Sequence, residues 1–138
     1  MIKDTLVRLP TWQTRFALLC IERRVRAFKW GAHDCCLWAA DTVNTLTGQD
    51  FAADLRGTYA TAAEASRVLK KLAGVRGIAT AALGASVAPA FAAVGDIVLM
   101  EQDGRELLAV CNGLEALCAG DAGLASISMQ QAIAVWKV

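Results

Sequence analysis

The sequence has little charge, no surplus of either sign, one histidine and no paired-cysteine motif. Lys+Arg number 14 against 13 Asp+Glu, for a net charge of +1, and no basic block stands apart, which argues against nucleic acid as a partner. The N-terminal stretch MIKDTLVRLP lacks an apolar run of secretory-signal length, so synthesis in the cytoplasm is expected. Without such a signal, the odd set Cys20, Cys35, Cys36, Cys111 and Cys118 excludes a structural disulfide framework. No CxxC pair and no Cys/His cluster at zinc spacing occurs, so neither a metal nor another cofactor is expected. The longest uncharged stretch, Gly77 to Gly95, is Ala-rich and broken by Gly84 and Pro89, and so reads as packed loop and helix rather than a membrane span.

What the chain has in quantity is apolar surface. Hydrophobic residues make up 56% of the 138 and charged residues 20%, which suits one domain over 1–138 that buries part of its exterior against other subunits. Trp12, Phe16, Leu19 and Cys20 recur at helical spacing, so a helix is predicted from Pro10 to Phe28, with Arg15, Glu22, Arg23 and Arg26 on its solvated face. A second helix is predicted from Cys35, capped by Asp34, to Leu46, with Gly48 as its stop. Thr61-x-x-Glu64 is a capping box that opens a helix over Ala62 to Leu72, closed by Gly74, and a short Ala-rich helix follows near Ile78 to Leu83. From Val94 onward the pattern changes to strands. They are Val94–Met100, an Asp103-Gly104 turn, Glu106–Asn112, Glu115–Ala119, Leu124–Ser128 and Ala134–Val138. Helices first and a meander of strands after them give an α+β fold, a helical half on a small, strongly bent antiparallel sheet.

The chemistry concentrates in Trp30 to Asp41, WGAHDCCLWAAD. A cysteine in the first turn of a helix sits where amide groups and the helix dipole favour the thiolate, so Cys35 is the candidate nucleophile. His33 is the one candidate base, two residues away across the turn; its other reading is a loop residue packing near the helix start. Cys35 and Cys36 also read as small, soft core residues of a buried helix. Downstream, Arg56-Gly57-x-Tyr59 reads either as a backbone clamp or cleft wall, or as an arginine reaching helix C-terminal carbonyls. Asp34, Arg56 and Tyr59 are therefore candidate binding residues.

Trp30-Gly-x-x-Asp34-Cys35 at a helix start, followed by Gly95-Asp96-Ile97-Val98, resembles the NlpC-type, papain-like cell-wall cysteine peptidases. With the Arg56-Gly57-x-Tyr59 loop and the closing Ala134-Val135-Trp136-Lys137-Val138 added, the chain is more narrowly similar to a small branch found in bacteriophage and prophage tail modules. The resemblance implies a papain-like fold with Cys35 as nucleophile. It also places Leu107 where that family carries its histidine base, and Cys118 near the third, orienting residue. A leucine takes no proton, so the implied active site is degenerate.

Three functions follow. The first is a structural subunit of a phage tail tip or baseplate, built on an inactive peptidase scaffold, made in the host cytoplasm and carried in the virion tail among other tail and baseplate proteins. The second is an active cysteine peptidase or amidase cutting the bacterial cell wall during entry, with helix amides holding the oxyanion. The third is a metal- or iron–sulfur-binding tail protein using Cys20, Cys111 or Cys118, which the cysteine spacing does not support.

Overall fold

The computed structural model describes residues 6–138. Four helices precede a five-stranded antiparallel sheet, an α+β arrangement. The helices are α1 (Trp12–Arg23), α2 (Cys35–Thr47), α3 (Ala62–Lys71) and α4 (Gly74–Leu83). The strands are β1 (Ile97–Gln102), β2 (Arg105–Cys111), β3 (Glu115–Gly120), β4 (Gly123–Ser128) and β5 (Ala132–Trp136), in the order β4-β3-β2-β1-β5. Among the described residues no strand of this sheet precedes Ile97; Val87 adds only an isolated bridge to Val135. No helix of the described residues is long and apolar enough to cross a membrane.

Helix α2 is central because it is apolar on nearly every side. Leu37, Trp38, Ala39, Ala40, Val43 and Leu46 are all without exposed surface. Its two buried threonines bond back onto the helix, Thr42 to the Trp38 carbonyl and Thr47 to the Val43 carbonyl, so no hydroxyl is stranded in the core. Gly48 ends it at φ 82°, a left-handed conformation natural to glycine. The Trp38 indole donates to the Leu117 carbonyl at 2.9 Å and fixes the helix to β3. Ile97, Leu99, Leu108, Val110, Ala134 and Trp136 pack on the helix side of the sheet with Phe16, Trp38, Val43 and Leu46. The opposite face gathers Val98, Met100, Ala109, Cys111, Ala116 and Val135.

The sheet is rolled, for a reason that lies in one connection. Strands β4 and β5 stand at opposite edges, and a flat sheet would hold them about 19 Å apart at ~4.8 Å per strand. Only the 3-10 turn Met129–Gln131 joins them, too short for that span. The edges therefore curl toward each other at that corner.

Three expectations are corrected. Helix α1 spans Trp12–Arg23 rather than Pro10–Phe28. Gly74 does not close α3, which ends at Lys71; with Ala73 in a left-handed conformation, Gly74 opens α4. Arg23 is buried rather than part of a solvated face. The charges beside it, described next, are the reason.

Candidate functional site

The turn before α2 is built from two sequence motifs. Lys29 and His33 exchange backbone hydrogen bonds of 2.9 and 2.8 Å, which folds Trp30–Ala32 into a tight turn. Gly31 sits at φ 78°, and a Cβ there would lie 1.9 Å from the Tyr59 carbonyl oxygen, so only glycine fits. Its carbonyl accepts from the Gly57 amide at 3.0 Å. Asp34, almost wholly enclosed, accepts from the Leu37 amide through Oδ1, and from the Gly31 amide and the Tyr59 hydroxyl through Oδ2. Burial, and then donation to the Asp34 carboxylate, push the Tyr59 hydroxyl above its ordinary pKa. W-G-x-x-D and R-G-x-Y are thus two halves of one latch.

Arg56 completes that latch from outside. Its guanidinium meets Asp41 at 2.6 Å and both carboxylate oxygens of Asp50 at 2.8 and 3.1 Å. Asp50 raises the arginine pKa, and the same bond lowers that of Asp50. Asp41 is shared with Arg23, at 2.5 Å, which also meets Glu22 at 2.7 Å. The arginine of the R-G-x-Y loop therefore faces carboxylates of its own chain, not helix carbonyls. A network of five charges ties α1 to α2 and to the loop after α2.

His33 belongs to this network rather than to the cysteine. Its Nδ1 lies 3.4 Å from the Arg23 Nη1, its ring stands edge-on to Trp38, and no hydrogen bond joins it to Cys35. A guanidinium only donates, so Nδ1 accepts and the proton is on Nε2, which has no partner among the described residues. Burial, then the nearby Arg23 and Arg26, lower its pKa. The ring is neutral near pH 7.

Cys35 begins α2 as the sequence predicts, but its thiol is not activated. Burial pushes its pKa up to about 11, with the neighbouring Asp34 charge and Cys118 adding to the rise, while amide donation from Leu108 and Cys36 pulls it down. The helix start is outweighed because the half-buried thiol loses solvation and the N-cap beside it is an anion. Cys36 is raised as well, by burial and then by Cys35. Leu107 does not face this sulfur: Cys35 packs with the helix-side cluster, Leu107 with the cluster on the other face. The strand residue beside the thiol is Leu108.

A second polar centre escaped the sequence reading except as letters of a motif. Asp96, with no exposed surface, accepts from the Ala93 amide at 2.9 Å and the Val138 amide at 3.0 Å. It also pairs with Arg8 at 3.3 Å and with Lys137. Arg8 in turn donates to the Val138 carbonyl and lies over the Trp12 ring. Gly95-Asp96 and the closing Trp136-Lys137-Val138 thus form a clamp that holds the segment before α1, the entry to β1 and the end of β5 together. Among the described residues no group of three His, Cys, Asp or Glu is placed to hold a metal ion.

Residues 7–138 match the family described as Domain of unknown function (DUF6950), and the chain belongs to that family. No curated protein and no solved structure matches it.

Proposed function

We propose that this member of the DUF6950 family is a structural subunit of a bacteriophage tail tip or baseplate, built on a papain-like, NlpC-type scaffold that has lost catalysis. One observation carries the catalytic half of that reading: the single histidine faces Arg23 rather than Cys35, whose thiol pKa is raised by burial. The residues that the sequence offers as candidate base and binding groups are turned inward here. His33 faces Arg23, Tyr59 faces Asp34, and Arg56 faces Asp41 and Asp50.

The subunit half draws on surface chemistry. Leu18 and Ile21 lie on the exposed side of α1 and Val25 in the turn just after it, 57–78% exposed, with Phe91 and Leu114 exposed elsewhere. Large apolar side chains gathered on one face are characteristic of surfaces covered by other proteins. In this reading the chain is made in the host cytoplasm and its neighbours in the virion tail are other tail and baseplate proteins.

The test is digestion of purified cell wall by the purified chain, alongside particle assembly with Cys35→Ser. No hydrolysis and unchanged infectivity are expected. The competing peptidase reading takes over if the unmodified protein digests cell wall and the activity is lost in both Cys35→Ser and His33→Ala. Among the described residues no three His, Cys, Asp or Glu are gathered in support of the metal-binding reading.

A further inference from the structure

Helix α1 turns one face inward and leaves the other bare. Phe16 and Arg23 are its buried residues, whereas Thr14, Leu18 and Ile21, four and then three residues apart and so on one face, are exposed. Arg15 and Glu22 each follow a member of that stripe by one residue and stand two turns apart on the same flank. Arg15 donates through Nε to Thr11 Oγ1, and its two terminal nitrogens make no ion pair among the described residues. Glu22, mostly exposed, meets Arg23 through Oε1 and keeps Oε2 turned to solvent, while Arg23 is also met by Asp41. An apolar stripe is thus flanked by one outward cation and one outward anion, seven residues apart.

We propose that α1 packs antiparallel against α1 of a second copy of this chain, across a two-fold axis beside Leu18. A two-fold interface must be complementary to itself, and this flank is. When Arg15 stands level with Glu22 of the other copy, Leu18 meets Leu18 at the axis, and the symmetry forms the same ion pair twice. The other charges of the helix do not oppose this register. Arg24, at the end of α1, falls level with the uncharged Gln13. The two copies of Arg24 then stand about 16 Å apart at ~1.5 Å per residue, beyond a screening length of about 8 Å at physiological salt. Arg23 is turned inward onto Asp41, and Arg26 lies near His33 rather than on the stripe. This pairing rests on the reading of an apolar face that is covered in assembly, and not on the state of Cys35.

The test is sedimentation equilibrium of the purified chain from about 1 μM to about 1 mM, where a weak dimer with a Kd of roughly 10–100 μM is expected for so short a seam. Leu18→Ser is expected to abolish it. Arg15→Glu and Glu22→Arg each set like charges together twice, and each is expected to raise the Kd about 10-fold or more with an unchanged circular dichroism spectrum. Mixed in equal amounts, these two variants regain both ion pairs and are expected to form a heterodimer with a Kd within about threefold of the original. Thr80→Lys, on an exposed position of α4, is expected to leave the Kd unchanged. Should Glu22→Arg fail to fold, Arg15→Glu and Leu18→Ser decide. A monomer at every concentration, a dimer indifferent to Leu18→Ser, or a mixture no tighter than its separate components would each overturn the pairing. A monomer that is still carried in particles would overturn it while leaving the subunit reading in place.

Discussion

Tyr59 donates its hydroxyl to the buried carboxylate of Asp34 at 2.7 Å, across 25 residues of sequence. That bond joins the turn before α2 to the loop after it, so the two motifs that look most like a substrate site hold each other. Removing the hydroxyl in Tyr59→Phe leaves one Asp34 lone pair unmet in a buried site, at a cost of about 1–3 kcal/mol. A thermal melt is expected to show the loss, and an unchanged melting temperature would mean that water replaces the hydroxyl. Gly31→Ala is expected to be worse and to prevent folding, because its Cβ would overlap the Tyr59 carbonyl.

The Asp96 clamp is expected to outweigh every surface ion pair of the chain. Asp96→Ala leaves Arg8, Lys137 and two amides without their shared acceptor, and breaking a buried pair of this kind costs about 3–5 kcal/mol. Arg76→Ala, which removes only an exposed pair with Glu106, is expected to change stability by less than about 1 kcal/mol. Urea unfolding midpoints of the two variants, measured side by side, check the contrast.

Stability is expected to fall on both sides of neutrality, for opposite reasons. His33 has a lowered pKa in the folded chain, so the unfolded chain binds the extra proton and stability is lost as pH falls below the ordinary histidine value of about 6.5. Cys35 has a raised pKa, so its contribution is complete below its ordinary value of 9.0 and is lost as pH rises from there through about 11. Urea midpoints against pH, compared with His33→Gln and Cys35→Ala, are expected to flatten on the acid and alkaline limbs respectively. A limb that does not respond to its variant would assign that titration to another group.

Thiol chemistry reports on the same site without unfolding it. A pKa near 11 rather than 9.0 leaves the thiolate of Cys35 about 100-fold scarcer at neutral pH. Alkylation by iodoacetamide at pH 7.5, followed by peptide mapping, is expected to label Cys35 far more slowly than a free thiol. Rapid, selective labelling would show an activated nucleophile.

Leu107→His is expected to restore no cell-wall hydrolysis. The residue aligned with the missing base packs on the opposite side of the sheet from Cys35, so an imidazole there does not reach the sulfur. Activity appearing in this variant would mean that β2 shifts by one residue in solution, which moves every side chain of the strand to the other face.

Local chemistry made much of the fold legible. Asp34 and Gly48 bracket α2, Thr61 caps α3, Asp103-Gly104 turns β1 into β2, and each signal works within a few residues of itself. The change of hydrophobic period near residue 94 fixed the order of helices and strands for the same reason. The bent sheet was expected from the sequence, but the short β4–β5 connection that enforces it became visible only once the strand order was known. Side-chain fate was not legible. Arg23, Arg56 and Tyr59 carry polar groups that usually reach solvent, and their partners Asp41 of α2 and Asp34 before it lie on other elements, as does Arg23 for His33. The pKa of Cys35 illustrates the difference. Its place in the first turn of α2 is a matter of sequence and favours the thiolate, whereas its partial burial beside β2 arises only when helix and sheet pack, and it is this desolvation that raises the thiol pKa.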